Sequence, residues 1–334
     1  MSKWFAGLRV ATLAMGLLAF MAPETASAQK KFKFAYDQPK LTGYGVAGDI
    51  FEAKLAALSN GALTIEQYPG AQLGQEPQLL QLLKAGDLDF AITSTANTAT
   101  VSPQAGVFSL HFLFSSEDHL KKSLADPAVS AAVRTMIEET VPGAHALALA
   151  TLGFRDIYGK KEIRKVEDMQ GLKIRVQATA TEDATFPVYG SQTVHMPFGS
   201  VYTSLQTGVV DAAENSVNVF LVNKHYEVAP VLSITQHEAN NSLIWISDKA
   251  WKGLTPQEQG WVQTAADEVA KLEPGKALEL EVQSMTKLAS IGVKIVSDVD
   301  RSAFMKAAAP MVDKLAKELG PHAEKIVALV RAVK

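Results

Sequence analysis

Short runs of alternating apolar and polar residues open the chain after its first 28 positions, with stretches of helical spacing between them. Phe32-Lys33-Phe34-Ala35-Tyr36 alternates and predicts a strand. From Val46 to Leu58 the apolar residues Ile50, Phe51, Leu55 and Leu58 fall at helical spacing, and Ser59-Asn60-Gly61 supplies a stop. Leu63 to Tyr68 alternates again and is closed by Pro69-Gly70. Pro77 to Lys84 predicts a helix ending at Gly86, and Asp89 to Thr93 a buried strand. Strand and helix following one another in this way predict an α/β fold, a sheet with helices packed on its faces.

An internal echo points to two lobes. Leu83-Lys84-Ala85-Gly86-Asp87-Leu88-Asp89-Phe90-Ala91 has the form L-x-x-G-x-x-D-x-A, and so has Leu205-Gln206-Thr207-Gly208-Val209-Val210-Asp211-Ala212-Ala213. Each predicts a helix that stops at the glycine, which accepts the left-handed backbone a helix end requires, and a strand near the Asp. The last third is mainly helical. Thr255-Pro256-Gln257-Glu258 combines an N-cap Thr, Pro at the first helical position and Glu three residues after the cap. The pattern then runs toward Ala289, with a kink or break expected at Pro274-Gly275. Val293 to Val296 predicts a strand, and two helices from about Arg301 and His322 finish the chain.

Residues 1–28 read as an export leader. Lys3 and Arg9 are its basic start, Val10 to Met21 its apolar run, and Ala26-Ser27-Ala28 its small-residue cleavage site. The run is short for a membrane anchor, which takes roughly 20 apolar residues. The chain has no cysteine, so thiol chemistry, disulfides and a lipid-anchored cysteine are excluded, as suits a periplasmic protein. A formal net charge of -3 suggests neither nucleic acid nor an anionic membrane surface as partner. About 300 residues beyond the leader suffice for two lobes with separate cores. We expect the first lobe over 29–152 plus 241–280 and the second over 153–240 plus 281–334.

No catalytic constellation stands out. Gly-rich phosphate loops and a G-x-S-x-G elbow are absent, and His195, His225 and His237 lack metal-ligand spacing. His119, His322 and Glu138-Glu139 lie in polar helical segments and read as solvated. Binding is therefore the default, with no cofactor and no metal. Two strand-like segments, Leu152 to Tyr158 and Met169 to Val176, each carry an arginine among apolar residues: Arg155 and Arg175. A buried guanidinium needs a partner, either a protein carboxylate or a ligand anion. Arg is also the side chain best suited to grip a carboxylate by two parallel hydrogen bonds.

The chain resembles the solute-binding component of tripartite ATP-independent periplasmic (TRAP) transporters, the dicarboxylate-binding-protein-like family. Its motifs here are Gln72-Leu73-Gly74, Leu83 to Asp89, Phe112-Leu113-Phe114, Gly171-Leu172-Lys173-Ile174-Arg175, and Met196-Pro197-Phe198 through Leu205 to Asp211 and Glu214-Asn215. They keep order and spacing over nearly the whole chain after the leader. The resemblance implies a periplasmic-binding-protein-like fold with a ligand cleft between two α/β lobes that close around a hinge. It implies that Arg175 grips a ligand carboxylate, helped by Arg155 and Asn215, with Phe198 as an aromatic wall or plain core. It implies a monomer that hands a small organic acid to TRAP membrane permease subunits and performs no catalysis. The rival expectations are a ligand-presenting receptor for a sensor protein and an extracytoplasmic enzyme acting on an organic acid.

Departures from the family pattern bear on the ligand. Gln177 stands where Pro is common, Ser200 where Glu is common, and His111 where Pro is usual. Ser94 and Asn97 replace the acidic residue and Arg of sialic acid binders, which disfavours an amino-sugar-like tail. The first lobe instead offers Tyr36, Asp37, Gln38, Ser94, Thr95 and Asn97 on loops after strands, where ligands of α/β lobes bind. That lining suits a short hydroxy- or keto-acid or an aromatic acid. Asp37 disfavours a second ligand carboxylate beside it and can receive a hydroxyl or amine hydrogen.

Overall fold

The computed structural model describes residues 29–334; the expected leader, residues 1–28, lies outside the described residues. The first strands and helices fall where the hydrophobic pattern put them: β1 Lys30–Ala35, α1 Gly43–Leu58, β2 Leu63–Tyr68, α2 Glu76–Ala85 and β3 Phe90–Ser94. A short helix α3 (Thr95–Thr98) follows, then α4 (Glu117–Ala125) and α5 (Pro127–Thr140). The second half adds β4 Ala144–Gly159, β5 Lys173–Val176, α6 Ala180–Thr185, β6 Gln192–His195, α7 Val201–Thr207, β7 Ala212–Ser216 and α8 Val217–Val222. It closes with β8 Val231–Ser247, α9 Asp248–Lys252, α10 Pro256–Ser290, β9 Lys294–Val296, α11 Arg301–Leu319 and α12 Pro321–Ala332.

One mixed sheet of nine strands, in the order β2-β1-β3-β8-β4-β7-β5-β6 with β9 beside β8, runs through the described residues. At one end β1 pairs in parallel with β2 and β3. At the other, β5 pairs in parallel with β6 and β7. The sequence echo is this symmetry: Gly86 and Gly208 end α2 and α7 at φ 74° and 77°, and each precedes the strand that meets the central pair. Alternation along each strand sends side chains to two cores. Phe34, Phe90 and Ile92 pack on one face of the first lobe's sheet, and Ala35 and Ala91 on the other. Ile174 and Val176 anchor one core of the second lobe, and Ala213 the other.

The two lobes share their central strands. β4 and β8, 16 and 17 residues long, run antiparallel through both. Their register shifts between Thr151 and Phe154. Gly153 sits there at φ 97°, and a Cβ on it would lie 2.8 Å from the Glu281 carboxyl carbon. Helix α10 spans the same junction. Its capping box is formed, with the Thr255 hydroxyl accepting from the Glu258 amide at 3.3 Å and Glu258 accepting from the Thr255 amide at 2.7 Å.

Of the kink or break expected at Pro274-Gly275, the break does not occur: the helix continues through Pro274. Proline removes one hydrogen bond, but Ala270, Glu273, Ala277 and Leu278 on either side are buried and hold both flanking turns. Glu273 accepts from the Thr151 amide at 3.0 Å, and Glu281 from the Val217 and Asn218 amides at 2.9 and 2.8 Å, which ties the helix to the hinge. The C-terminal helices divide differently from the expected boundary at 281. Phe304 and Ala308 of α11 join the second lobe's core, whereas Leu315 and Ala316, with Ala323, Ile326, Val327 and Val330 of α12, join the first lobe's. Among the described residues no helix is long and apolar enough to cross a membrane.

Candidate functional site

The loops that leave β1, β3, β5 and β7 converge between the lobes, at the strand ends where α/β sheets place ligands. Asp37 and Gln38 follow β1, and Ser94 ends β3, where its hydroxyl caps α3 by accepting from the Asn97 amide at 3.1 Å. Opposite them stand Arg175 of β5, Asn215 of β7 and Phe198, with Arg155 on β4 beneath. All of these line one cleft, together with Tyr44, Glu76, Gln177 and Asn240. Seven of the eight expected site residues are thus brought together. Tyr36 is not. Alternation puts it with Phe34 in the helix-covered core, where it is fully buried and its hydroxyl donates to Gln67 at 2.7 Å.

The two arginines have different surroundings. Arg155 is buried on the central sheet, and its Nε and Nη2 both donate to the Glu214 carboxylate. Nη2 also donates to the Glu214 carbonyl at 3.0 Å, and Glu238 lies 3.8 Å away. The protein-carboxylate alternative therefore describes Arg155, although its side chain still reaches the cleft wall. Arg175 is equally buried, at 2 % exposure. Its Nε and Nη2 donate only to the Met196 carbonyl, at 3.3 and 2.9 Å. Among the described residues no carboxylate lies within ion-pair distance of it. Burial accordingly holds its pKa below the ordinary arginine value. A desolvated cation whose partner is one neutral carbonyl is costly unless an anion enters. Asn215 Oδ1 accepts from the Ser216 amide at 2.9 Å and from Asn240 Nδ2 at 2.8 Å, so its own amide hydrogens are what it can offer a ligand.

The first lobe's wall is acidic and polar. Glu76, at the start of α2, is 3 % exposed, and sequence reasoning missed it because an acid in a helix's first turn reads as solvated. Its Oε2 accepts from the Ser94 amide (2.9 Å), the Ser94 hydroxyl (2.7 Å) and Asn97 Nδ2 (2.6 Å), and its Oε1 from the Tyr44 hydroxyl (3.1 Å). Asp37 accepts from Gln38 Nε2 at 3.1 Å. Burial, reinforced by nearby Glu76, raises the Asp37 pKa well above the carboxylate range against a smaller opposing pull from Arg175. A protonated Asp37 can donate as well as accept. The cleft thus has a cationic end and a hydroxyl-matching end.

Behind Arg155 lies a second buried polar group. The ligating atoms of His111, His237 and Glu238 lie within 4.8 Å of one another, a gathering that linear spacing did not reveal. His111 Nδ1 meets the Tyr189 hydroxyl at 2.9 Å and Nε2 meets Glu182 at 3.4 Å. His225, beside Phe198 at a ring separation of 5.4 Å, bonds the Tyr158 hydroxyl. Both histidines expected to be solvated are partly buried: His119 meets the Val330 carbonyl and His322 meets Glu139. On the opposite face of β4 a roomier cavity, about 240 Å³, is walled by Phe154, Leu278 and Met285 with Asp156 and Glu281. Its described lining holds the carboxyl groups of Glu117, Asp156 and Glu281 and no Lys or Arg, which disfavours an acid there.

Residues 34–319 match the model of the family described as bacterial extracellular solute-binding protein, family 7. The 2,3-diketo-L-gulonate-binding periplasmic protein of Escherichia coli is 28 % identical over 325 residues, covering 96 % of this chain and 98 % of that one. A TRAP periplasmic solute-binding protein from a Polaromonas species, crystallised with D-erythronate, superposes with a TM-score of 0.84 at 28 % identity, covering 92 % of this chain and 99 % of that chain. One from Xanthobacter autotrophicus with bound β-D-galacturonate gives 0.83 at 28 %, covering 91 % and 100 %.

Proposed function

The chain belongs to the family 7 bacterial extracellular solute-binding proteins, and from that premise we propose that its cleft captures a hydroxylated monocarboxylic acid, carboxylate on Arg175 and hydroxyls toward Asp37 and Glu76. As a TRAP solute-binding protein it takes up a small organic-acid carboxylate and delivers it to the membrane permease. The single observation that carries the proposed orientation is Arg175, buried in the cleft with no carboxylate within ion-pair distance among the described residues. Asn215 donates to the same carboxylate, and Arg155, held by Glu214, supplies positive potential from below. Asp37, Asn97 and Gln38 take hydroxyl groups, and Phe198 covers the cleft from the second lobe. The relatives' bound ligands, D-erythronate and β-D-galacturonate, are acids of this kind. Family members are binding proteins, and we propose that this chain likewise turns nothing over and acts as a monomer. Its first 28 residues act as the export leader, so that the periplasmic chain begins at Gln29.

A thermal-shift titration of the chain from Gln29 onward tests the reading, because a ligand that binds only the folded state raises its melting temperature. D-Erythronate, D-galactonate or D-glucuronate should raise it, and erythritol, which keeps the hydroxyls without the carboxylate, should not. Equal shifts with erythritol and erythronate would remove Arg175 from the role of anchor.

A further inference from the structure

We propose that Gln177 sets the length of acid the cleft accepts, favouring four-carbon hydroxy acids over six-carbon uronates. The inference rests on the acid-binding reading above and deepens it. Relatedness does not decide ligand size, since the proteins crystallised with D-erythronate and with β-D-galacturonate are both 28 % identical to this chain. The residues do. Gln177 lies two positions after Arg175, just past the end of β5, and both side chains line the cleft. Its amide crosses the cleft to the other lobe and donates to the Ser94 hydroxyl at 2.7 Å. Ser94 in turn donates to Glu76 at 2.7 Å, which joins Gln177 to the polar wall of the first lobe.

Two further bonds hold only at this lobe separation: the Gly199 amide to Gln75 at 3.1 Å, and Asn223 to Gln38 at 3.4 Å. The free volume they leave is about 20 Å³, room for about one water. An entering acid must therefore move something. Its carboxylate can replace the Met196 carbonyl as the acceptor for Arg175, and the charge-assisted bonds it brings outweigh the release of one carbonyl. Added length at the far end has no such exchange. It breaks the Gln177–Ser94 bridge, and a ligand oxygen must then stand where the Ser94 oxygen stood; where none does, the buried amide is left without its acceptor, a loss that scales to about tenfold or more in affinity.

Isothermal titration of D-erythronate and D-glucuronate into the wild-type chain and into Gln177→Ala and Gln177→Asn tests this. Asn is one methylene too short to reach Ser94 and retains the amide, so it serves if the alanine variant folds poorly. The wild type should bind erythronate at least about tenfold more tightly, and both variants should bring the two acids to within about threefold by gaining glucuronate affinity. Equal binding of both acids by the wild type, or an unchanged ratio in the folded variants, would overturn the proposal. If neither these acids nor D-glycerate binds the wild type, the acid-binding reading itself falls and takes this one with it.

Discussion

Replacing Arg175 by Ala separates binding from folding. A guanidinium fork on a carboxylate makes two charge-assisted hydrogen bonds, each about 1.5–3 kcal/mol. Losing both should weaken binding by about 3–6 kcal/mol, roughly a hundredfold to ten-thousandfold in Kd. Stability should change little. The substitution strands the Met196 carbonyl, at a cost of about 1 kcal/mol, but it also removes a buried cation that pairs with no carboxylate among the described residues. The two effects oppose each other, and the ligand-free melting temperature should stay within about 4 °C of wild type. Arg155→Ala is the internal control. It leaves Glu214 and Glu238 buried without their cation, which should cost about 3–5 kcal/mol and lower the melting temperature by about 5–8 °C. Calorimetric titration with D-erythronate and melting curves on both variants read the two quantities. An Arg175→Ala variant within threefold of wild-type affinity would refute the anchor. One that melts as low as Arg155→Ala would show that Arg175 carries folding energy the geometry does not predict.

Burial pushes Asp156 and Glu182 up to about 7, so from about pH 4 to 7 the folded chain holds protons the unfolded chain has lost, and stability falls as pH rises through that window. Burial pushes His111 and His225 down to about 4, which opposes this only below about pH 6.5. The melting temperature should therefore fall between pH 6.5 and 8, and a rise over that interval would contradict the argument. Glu273, buried with only the Thr151 amide on one oxygen and none on the other, is raised well above the carboxylate range. Glu273→Gln should match wild type at pH 6 and fall less steeply toward pH 8; coincident pH profiles would refute a neutral Glu273. Glu76→Gln turns one of its accepting oxygens into a donor facing donors. Stability should drop by about 1–3 kcal/mol with erythronate affinity reduced, and a denaturation midpoint equal to wild type would argue against that array. Export from a host carrying the full chain should yield a protein whose mass begins at Gln29, and a retained leader would contradict cleavage after Ala28.

What the sequence determined by itself was local. Alternation placed β1 to β3, the Thr255 capping box started α10, and Gly86 and Gly208 stopped their helices, because caps, turns and periodicity depend on residues a few positions apart. An arginine set among Ile174 and Val176 was legible as a buried charge for the same reason, and the motif around it named the family. Only the tertiary structure decided which arginine was free. Glu214 and Glu238 reach Arg155 from two other strands, while among the described residues no carboxylate comes within ion-pair distance of Arg175, and no spacing along the chain records either fact. It also moved Tyr36 from the expected site into the core, gathered Glu76, Ser94 and Asn97 into one polar wall, carried α10 through Pro274 on packing from both sides, and assigned α12 to the first lobe. Each of these outcomes rests on contacts between residues distant in sequence, whose energies exceed the local preferences that a linear reading can weigh.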